Sequence, residues 1–390
     1  MELKDICQYI SEKVATTTLT KENYISTENM LPDKGGIVTA SGVPFGNSTA
    51  FSVGDVLVSN IRPYFKKIWQ ANRNGGCSAD VLCFRANSNV DNSYFYYLLS
   101  QQEFFDYIMS GAKGCKMPRG DKRQIMQWKV ELPPLDEQRH IASVLLSLDE
   151  KIELNRRING NLEQQAQALF KAWFVDFEPF KNGKFVDSEL GRIPEGWKVG
   201  HFTDIVKVSG GGTPRTNNTS FWNGSIPFFT PKDASDIVFT YKTEKHITNL
   251  GVSNCNSPIY PAHTVFITAR GTIGKIKMAG KPMAMNQSCY ALLTKKEKLE
   301  PYIYLLSLRL VNIMQKKANG AVFEAITTKD FEENIVIPPN EILTSFIQLV
   351  NPLFFQIHHN GLENQNLIIL KEALLPRLMS GELNVNTITE

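Results

Sequence analysis

The chain has 390 residues, 42% hydrophobic, 10% aromatic and 21% charged, which describes a folded globular protein longer than one core usually supports and makes two or more domains the expectation. A net charge of +3 neither demands nor excludes a nucleic-acid partner, and six cysteines (Cys7, Cys77, Cys83, Cys115, Cys255, Cys289) without CxxC spacing argue against zinc and disulfide frameworks. No run approaches the roughly 18 apolar residues of a membrane span, and "MELKDICQYISEK" lacks a signal-peptide pattern, so a cytoplasmic protein with no membrane partner and no bound metal is expected.

Residues 1–131 read as a globular unit rich in Gly, Asn, Thr and aromatics, with short β-type runs such as "GDVLVSN" (54–60). Its basic residues are concentrated. "SNIRPYFKKIWQANR" (59–73) carries Arg62, Lys66, Lys67 and Arg73 without an acid, interleaved with Tyr64, Phe65 and Trp69. "AKGCKMPRGDKR" (112–123) carries Lys113, Lys116, Arg119, Lys122 and Arg123 against Asp121. Each cluster can neutralise several phosphates; the alternative for either is a solvated loop.

From 132 to 175 the pattern changes. Positions 141, 145, 148, 152, 155, 159, 162, 166 and 169, mostly apolar, alternate steps of four and three, the seam of a coiled coil. Pro133-Pro134 marks the start, and a helix from Leu135 to Trp173 would run about 58 Å at about 1.5 Å per residue. Two seam positions are polar, Asn155 and Asn159, beside Leu148, Ile152 and Leu162. Gly160 lies inside the helix at a cost of about 1 kcal/mol.

"DFEPFKNGKFVDSELGRIPEGW" (176–197) reads as a connection, and a second globular unit extends to 336. "HTVFITA" (263–269) aligns with "GDVLVSN" at an offset of 209, and a basic loop follows in both: "ARGTIGKIKMAGK" (269–281) carries Arg270, Lys275, Lys277 and Lys281 without an acid. Gly271 and Gly274 are too close for a phosphate-binding loop, and a tight turn between strands is expected instead. "VSGGGTPRT" (208–216) lacks the spaced GxGxxG fingerprint; a loop whose backbone approaches a partner closely accounts for it better. No amino-methyltransferase motif and no Ser, His and Asp grouping stands out, so the chain reads as non-catalytic. Asn60, Arg62, Arg215, Thr216, Asn217 and Arg270 have donor and acceptor types that read base edges; Lys66, Lys67, Lys116, Arg119, Lys232 and Lys275 complete the candidate DNA-binding set.

Residues 337–383 repeat the helix at an offset of 205: Pro133-Pro134 meets Pro338-Pro339, Leu148 meets Leu353, Ile152 meets Ile357, Asn155 and Asn159 meet Asn360 and Asn364, and Leu162 meets Leu367. Pro352 should kink or delay this helix, His358 and His359 are expected to face solvent, and 384–390 is a tail. The fold class is therefore α+β: two similar globular domains of mixed β-structure with short helices, separated by two long antiparallel coiled-coil helices in a pseudo-twofold internal repeat. Asparagines in such a seam penalise wrong registers; alternatively these positions face the rod surface or a partner subunit.

The pattern resembles the DNA-specificity subunit of Type I restriction-modification systems over essentially the whole chain. The residues that carry it are "LPPLDEQRHIASVLLSLDEKIELNRRINGNLEQQAQALFKAWF" (132–174), the echo ending "LIILKEALLPRLMSGEL" (367–383), and "IPEGWKVGHFTDIVKVSGGGTPRTNNTSFWNGSIPFFTPKD" (193–233), similar to the start of a target recognition domain. The first unit lacks a "PEGW" opening, though "NYISTENMLPDKGGI" (23–37) is also similar to such domains. The resemblance implies a non-catalytic subunit whose two recognition domains read the halves of an interrupted duplex DNA site. It also implies helices that act as a ruler and dock two methyltransferase subunits, with two motor-nuclease subunits in the full complex, and S-adenosylmethionine, ATP and magnesium on those partners. A rod of about 58 Å spans about 17 base pairs at about 3.4 Å each. The competing readings are a coiled-coil assembly scaffold without DNA readout and a stand-alone nuclease.

Overall fold

The computed structural model describes residues 1–296, 298–317 and 325–383; the expected tail 384–390 lies outside them. The chain divides into two compact units, Met1–Lys151 with Leu367 onward, and Ile152–Asn366. Each long helix thus gives part of its length to either unit, whereas the sequence placed unit boundaries at the helix ends.

In the first unit the strands Cys7–Tyr9, Val81–Ala86, Val56–Ser59 and Ile68–Gln70 lie side by side in that order, all antiparallel. "VLV" at 56–58 is an unbroken apolar run because both faces of its strand are covered. Val56 and Val58 point into a core with Tyr94, Phe95 and Ile141, while Leu57 points into another with Ile25, Phe51 and Cys83. The second sheet runs Lys13–Ala15, Asn47–Phe51, Gly75–Cys77, Tyr24–Ile25, its last pair parallel.

The second unit repeats this plan. Strands Val206–Gly210, Cys289–Thr294, Val265–Thr268 and Ile276–Ala279 follow the same antiparallel order, with Phe239–Thr240 added at the edge. Val265 and Ile267 enter one core and Phe266 another. Register is shared too: Ser59 faces Val81 as Thr268 faces Cys289, and the parallel pairing of Tyr24 with Gly76 returns as Phe228 with Ala284. The helices Asn92–Leu99 and Gln102–Ser110 stand where the second unit has the single helix Glu300–Lys317.

The long helices run Leu135–Phe174 and Asn340–Met379. Gln138 N–H donates to the Pro134 carbonyl (3.0 Å) and Leu343 N–H to Pro339 (3.1 Å), so both begin on the double proline at repeat-equivalent residues. In the first unit Ile141, Ala142 and Leu145 pack with Leu375 and Leu378, and Lys371 pairs with Asp149 at 2.5 Å. In the second, Phe346 meets Phe170, Trp173, Phe174 and Tyr302 at centroid distances of 4.7–6.3 Å.

The asparagines join the two helices. Asn155 Nδ2 donates to Asn364 Oδ1 (2.9 Å) and to Glu363 (2.7 Å), while Asn360 Nδ2 donates to Asn159 Oδ1 (2.8 Å). Asn159 Nδ2 donates to the Ile357 carbonyl (3.1 Å) and Asn364 Nδ2 to the Ile152 carbonyl (3.3 Å). Exchanging the repeats turns each Asn–Asn bond into the other, and likewise each bond to a carbonyl. The helices are therefore antiparallel here, and the polar steps do meet. Ile152, Asn155, Ile357, Asn360 and Asn364 are buried; Leu148, Asn159, Leu162, Leu353 and Leu367 are half-buried.

Two sequence expectations for the second helix are corrected. Pro352 does not delay it: the helix has already begun at Asn340, and Gln348, whose carbonyl loses its partner to the proline, is exposed to water. His358 is not solvent-facing; next to the seam residue Ile357, it packs on Phe239 and Tyr241, whose hydroxyl lies 3.2 Å from Nδ1. Burial holds its pKa below the ordinary histidine value, with His263 and His359 adding to the effect. His359 is exposed. Cys7, Cys77, Cys83 and Cys289 are buried thiols, and among the described residues no group of His, Cys, Asp or Glu has the arrangement of a metal site.

Candidate nucleic-acid interface

In the first unit the candidate residues gather where the strand Val56–Ser59 ends. The run 60–67 forms a turn over a short 3-10 helix, Pro63–Phe65, with left-handed backbone at Arg62 (φ 48°) and Lys66 (φ 50°). A second loop is tied to it: Lys113 and Arg119 exchange backbone hydrogen bonds, and Arg62 N–H donates to the Pro118 carbonyl (2.8 Å). Asn60, Arg62, Lys66, Lys67, Lys116 and Arg119 thus lie on two adjoining loops, although 46 or more positions separate the two segments in the chain. A third segment joins them, since Lys34 N–H donates to the Lys66 carbonyl (3.0 Å). Burial beside Lys371 and Lys66 lowers the Lys34 pKa, a cation the sequence reading missed.

Availability differs among these side chains. Lys116 is exposed. Arg119 pairs with Asp80 at 3.1 Å, and Lys67 donates to the Thr27 carbonyl (2.6 Å), with burial lowering its pKa. Asn60 Oδ1 and Arg62 Nε are buried without a hydrogen-bond partner. Beside the loops lies a groove of about 710 Å³, lined by residues that include Ser26, Thr27, Asn29, Thr39, Ser78 and Asp80.

The second unit builds its counterpart from the same backbone. Asn60 N–H donates to the Asp80 carbonyl (2.8 Å), and Ala269 N–H to that of Ser288 (2.8 Å). Ser26 N–H donates to Asn29 (2.6 Å), and Thr230 N–H to Asp233 (2.8 Å). Arg215, Thr216, Asn217, Lys232 and Arg270 are exposed on loops of this face; Lys232 has Glu244 at 3.8 Å, and Arg270 forms no ion pair with any of the described residues. Thr213 donates to Gln287, bringing the glycine-rich loop onto the 286–288 turn and adding two polar groups the sequence reading passed over.

Two readings change. The basic run 269–281 is not acid-free in space: Lys275 pairs with Asp236 at 2.9 Å, and Lys277 is buried, donating to the Ile237 carbonyl (2.9 Å). Burial brings the Lys277 pKa down to about 8. Arg270 keeps its charge available. The triple glycine serves the chain itself: a Cβ on Gly211 would sit 2.1 Å from the Asn286 carbonyl oxygen, and one on Gly212 would sit 2.5 Å from Asn256 N. The turn expected at 271–274 is present, with Gly271 at φ 79° and Gly274 at φ 78°.

Two duplicated α+β units, each ending one sheet in polar and basic loops, have a match among known families. The profile of the Type I restriction modification DNA specificity domain covers residues 1–164 and again 194–368. The chain belongs to this family. It is 25% identical to the Type I restriction enzyme HindI specificity subunit of Haemophilus influenzae, over 98% of both chains. It is 31% identical to the MjaIX specificity subunit of Methanocaldococcus jannaschii, over 76% of this chain and 70% of that one. The fold is shared with the crystal structure of a Type I S subunit from M. genitalium, at 15% identity and a TM-score of 0.54, covering 97% and 95% of the two chains. This specificity subunit is a non-catalytic DNA-recognition component of a restriction-modification system, with two DNA specificity domains. No helix among its described residues is long and apolar enough to cross a membrane.

Proposed function

We propose that this cytoplasmic subunit reads a bipartite, interrupted duplex site, one half with the loops at 60–67 and 113–120 and the other with those at 213–217, 230–233 and 269–275. The observation that supports this reading most is that one backbone frame presents different side chains in its two copies: Arg62, Lys66 and Asp80 in the first, Gly271, Gly274 and Ser288 in the second. A frame held constant under changed loops suits two half-sites of different sequence. The long helices dock two methyltransferase subunits, and two motor-nuclease subunits complete the restriction assembly. S-adenosylmethionine, ATP and magnesium bind those partners.

Co-expression with the methyltransferase subunit, followed by genome-wide mapping of modified bases, tests the reading. A two-part motif with a fixed gap is the expected result; an uninterrupted motif overturns it. A matched one-turn insertion in both helices should change the gap and leave the half-sites alone. Binding that falls steeply with salt separates DNA readout from pure scaffolding, and cleavage by the chain alone would reinstate the nuclease reading.

A further inference from the structure

The turn after Val56–Ser59 and the turn after Val265–Thr268 open and close on equivalent backbone bonds, but the first is one residue longer, is built over the 3-10 helix Pro63–Phe65 and differs in chemistry. Ser59 N–H donates to the Lys67 carbonyl (3.0 Å) and Thr268 N–H to that of Lys275 (3.0 Å), so both close at equivalent points. Each contains two left-handed positions, Arg62 and Lys66 in one, Gly271 and Gly274 in the other. Glycine adopts this conformation freely, whereas Arg and Lys hold it against steric resistance. Such strain persists where the surroundings enforce it, and it concentrates at functional sites.

What the strained turn presents is an aromatic pair. Tyr64 is 47% and Phe65 38% exposed, above a buried Pro63, with ring centroids 4.6 Å apart. Lys67 Nζ lies 5.9 Å from the Phe65 ring centre. The second unit has Thr272 and Ile273 at these places, and Ile273 packs against its own core. Two neighbouring rings left in water beside Arg62, Lys66 and the basic loop 113–119 suit an occupant that is anionic outside and stackable inside. Duplex DNA has that chemistry; an apolar protein surface does not.

We propose that Tyr64 and Phe65 form a wedge with which the first specificity domain unstacks one base step of its half-site, Arg62 and Lys66 holding the flanking phosphates. Apolar side chains inserted between bases kink a duplex, and pyrimidine–purine steps yield most readily. The first half-site is then read partly through deformability, and the second is not. The inference rests on the DNA-reading function above.

The test uses the full chain in complex with its methyltransferase subunit and duplexes carrying 2-aminopurine at successive steps of the mapped site. Binding should raise fluorescence at one step of the first half-site, and Tyr64→Ala with Phe65→Ala should abolish that rise. The same pair should cost roughly tenfold in discrimination between a flexible and a stiff step there, with the salt dependence unchanged. A rise that survives the double substitution overturns the wedge. Loss of complex assembly in the variant also overturns it, by making the rings a protein contact. Arg62→Gly with Lys66→Gly separates strain from function: thermal stability should rise while affinity for the first half-site falls, and unchanged affinity refutes the role given to the two cations. If the wild-type complex shows no salt-dependent binding to duplex DNA, the DNA-reading function fails rather than the wedge.

Discussion

The two long helices and the two globular units were both duplicated, but different things are shared between the copies. In the helices the side chains correspond: Asn155 and Asn364 make with each other the bond that Asn360 and Asn159 make. In the globular units the backbone corresponds and the loop side chains do not, Arg62 standing where Gly271 does and Asp80 where Ser288 does. A seam fixes which residues face each other, so its side chains are the structure. A recognition frame fixes only where loops begin and end, which leaves their chemistry open.

The contrast can be tested by substitution. Phe346, fully buried against Phe170, Phe174 and Tyr302, should cost about 3–5 kcal/mol on truncation to Ala, read as a lower midpoint of chemical unfolding. Asn155→Ala should cost about 1–3 kcal/mol, because Asn364 Oδ1 loses its donor inside the seam. Replacing Asn155 and Asn364 together by Leu should recover part of that loss while letting the register slip, seen as faster amide exchange along both helices. A loss no larger than that of an exposed asparagine would mean the seam does not depend on these bonds.

A third test concerns Lys277. Its folded pKa, about 8, lies below the ordinary lysine value of 10.5, so between those values the unfolded chain holds a proton the folded chain has released. Stability should therefore rise with pH across that window relative to Lys277→Met, by up to about 1.4 kcal/mol per unit. Parallel curves for the two proteins would show that the amine titrates normally. The smallest effect belongs to a loop: Arg270→Ala should lower the salt slope of DNA binding by about one and weaken only the second half-site, since a single phosphate contact is removed. Equal losses at both half-sites would break the two-reader arrangement.

The helices were legible because heptad spacing is local and because their polar interruptions recur at one offset. Which asparagine would meet which was not legible, since spacing along one helix leaves the antiparallel register open. The strand Val56–Ser59 and its copy could be read from an apolar run bounded by turn residues. The loops were harder. Asp236 and Ile237 take up Lys275 and Lys277 from about forty positions away, so a run that looks acid-free on paper has one cation paired with an acid and another buried on a carbonyl. Left-handed backbone at Arg62 and Lys66 carries no sequence signal, because neither is glycine; only the aligned glycines of the other copy point to it. Lys34 went unnoticed for a similar reason, being brought beside Lys66 by a backbone hydrogen bond between distant segments.

The asparagine network has a consequence for ancestry. Every donor and acceptor in its exchange-related bonds occurs once in each repeat: Asn155, Asn159 and the Ile152 carbonyl in the first, Asn360, Asn364 and the Ile357 carbonyl in the second. A polypeptide carrying one repeat alone would hold both members of each bond and could close the same network by pairing with a second copy of itself. Fusing two such genes would keep the joint intact while freeing each reading head to drift, an origin that would leave one chain with matched asparagines and mismatched loops.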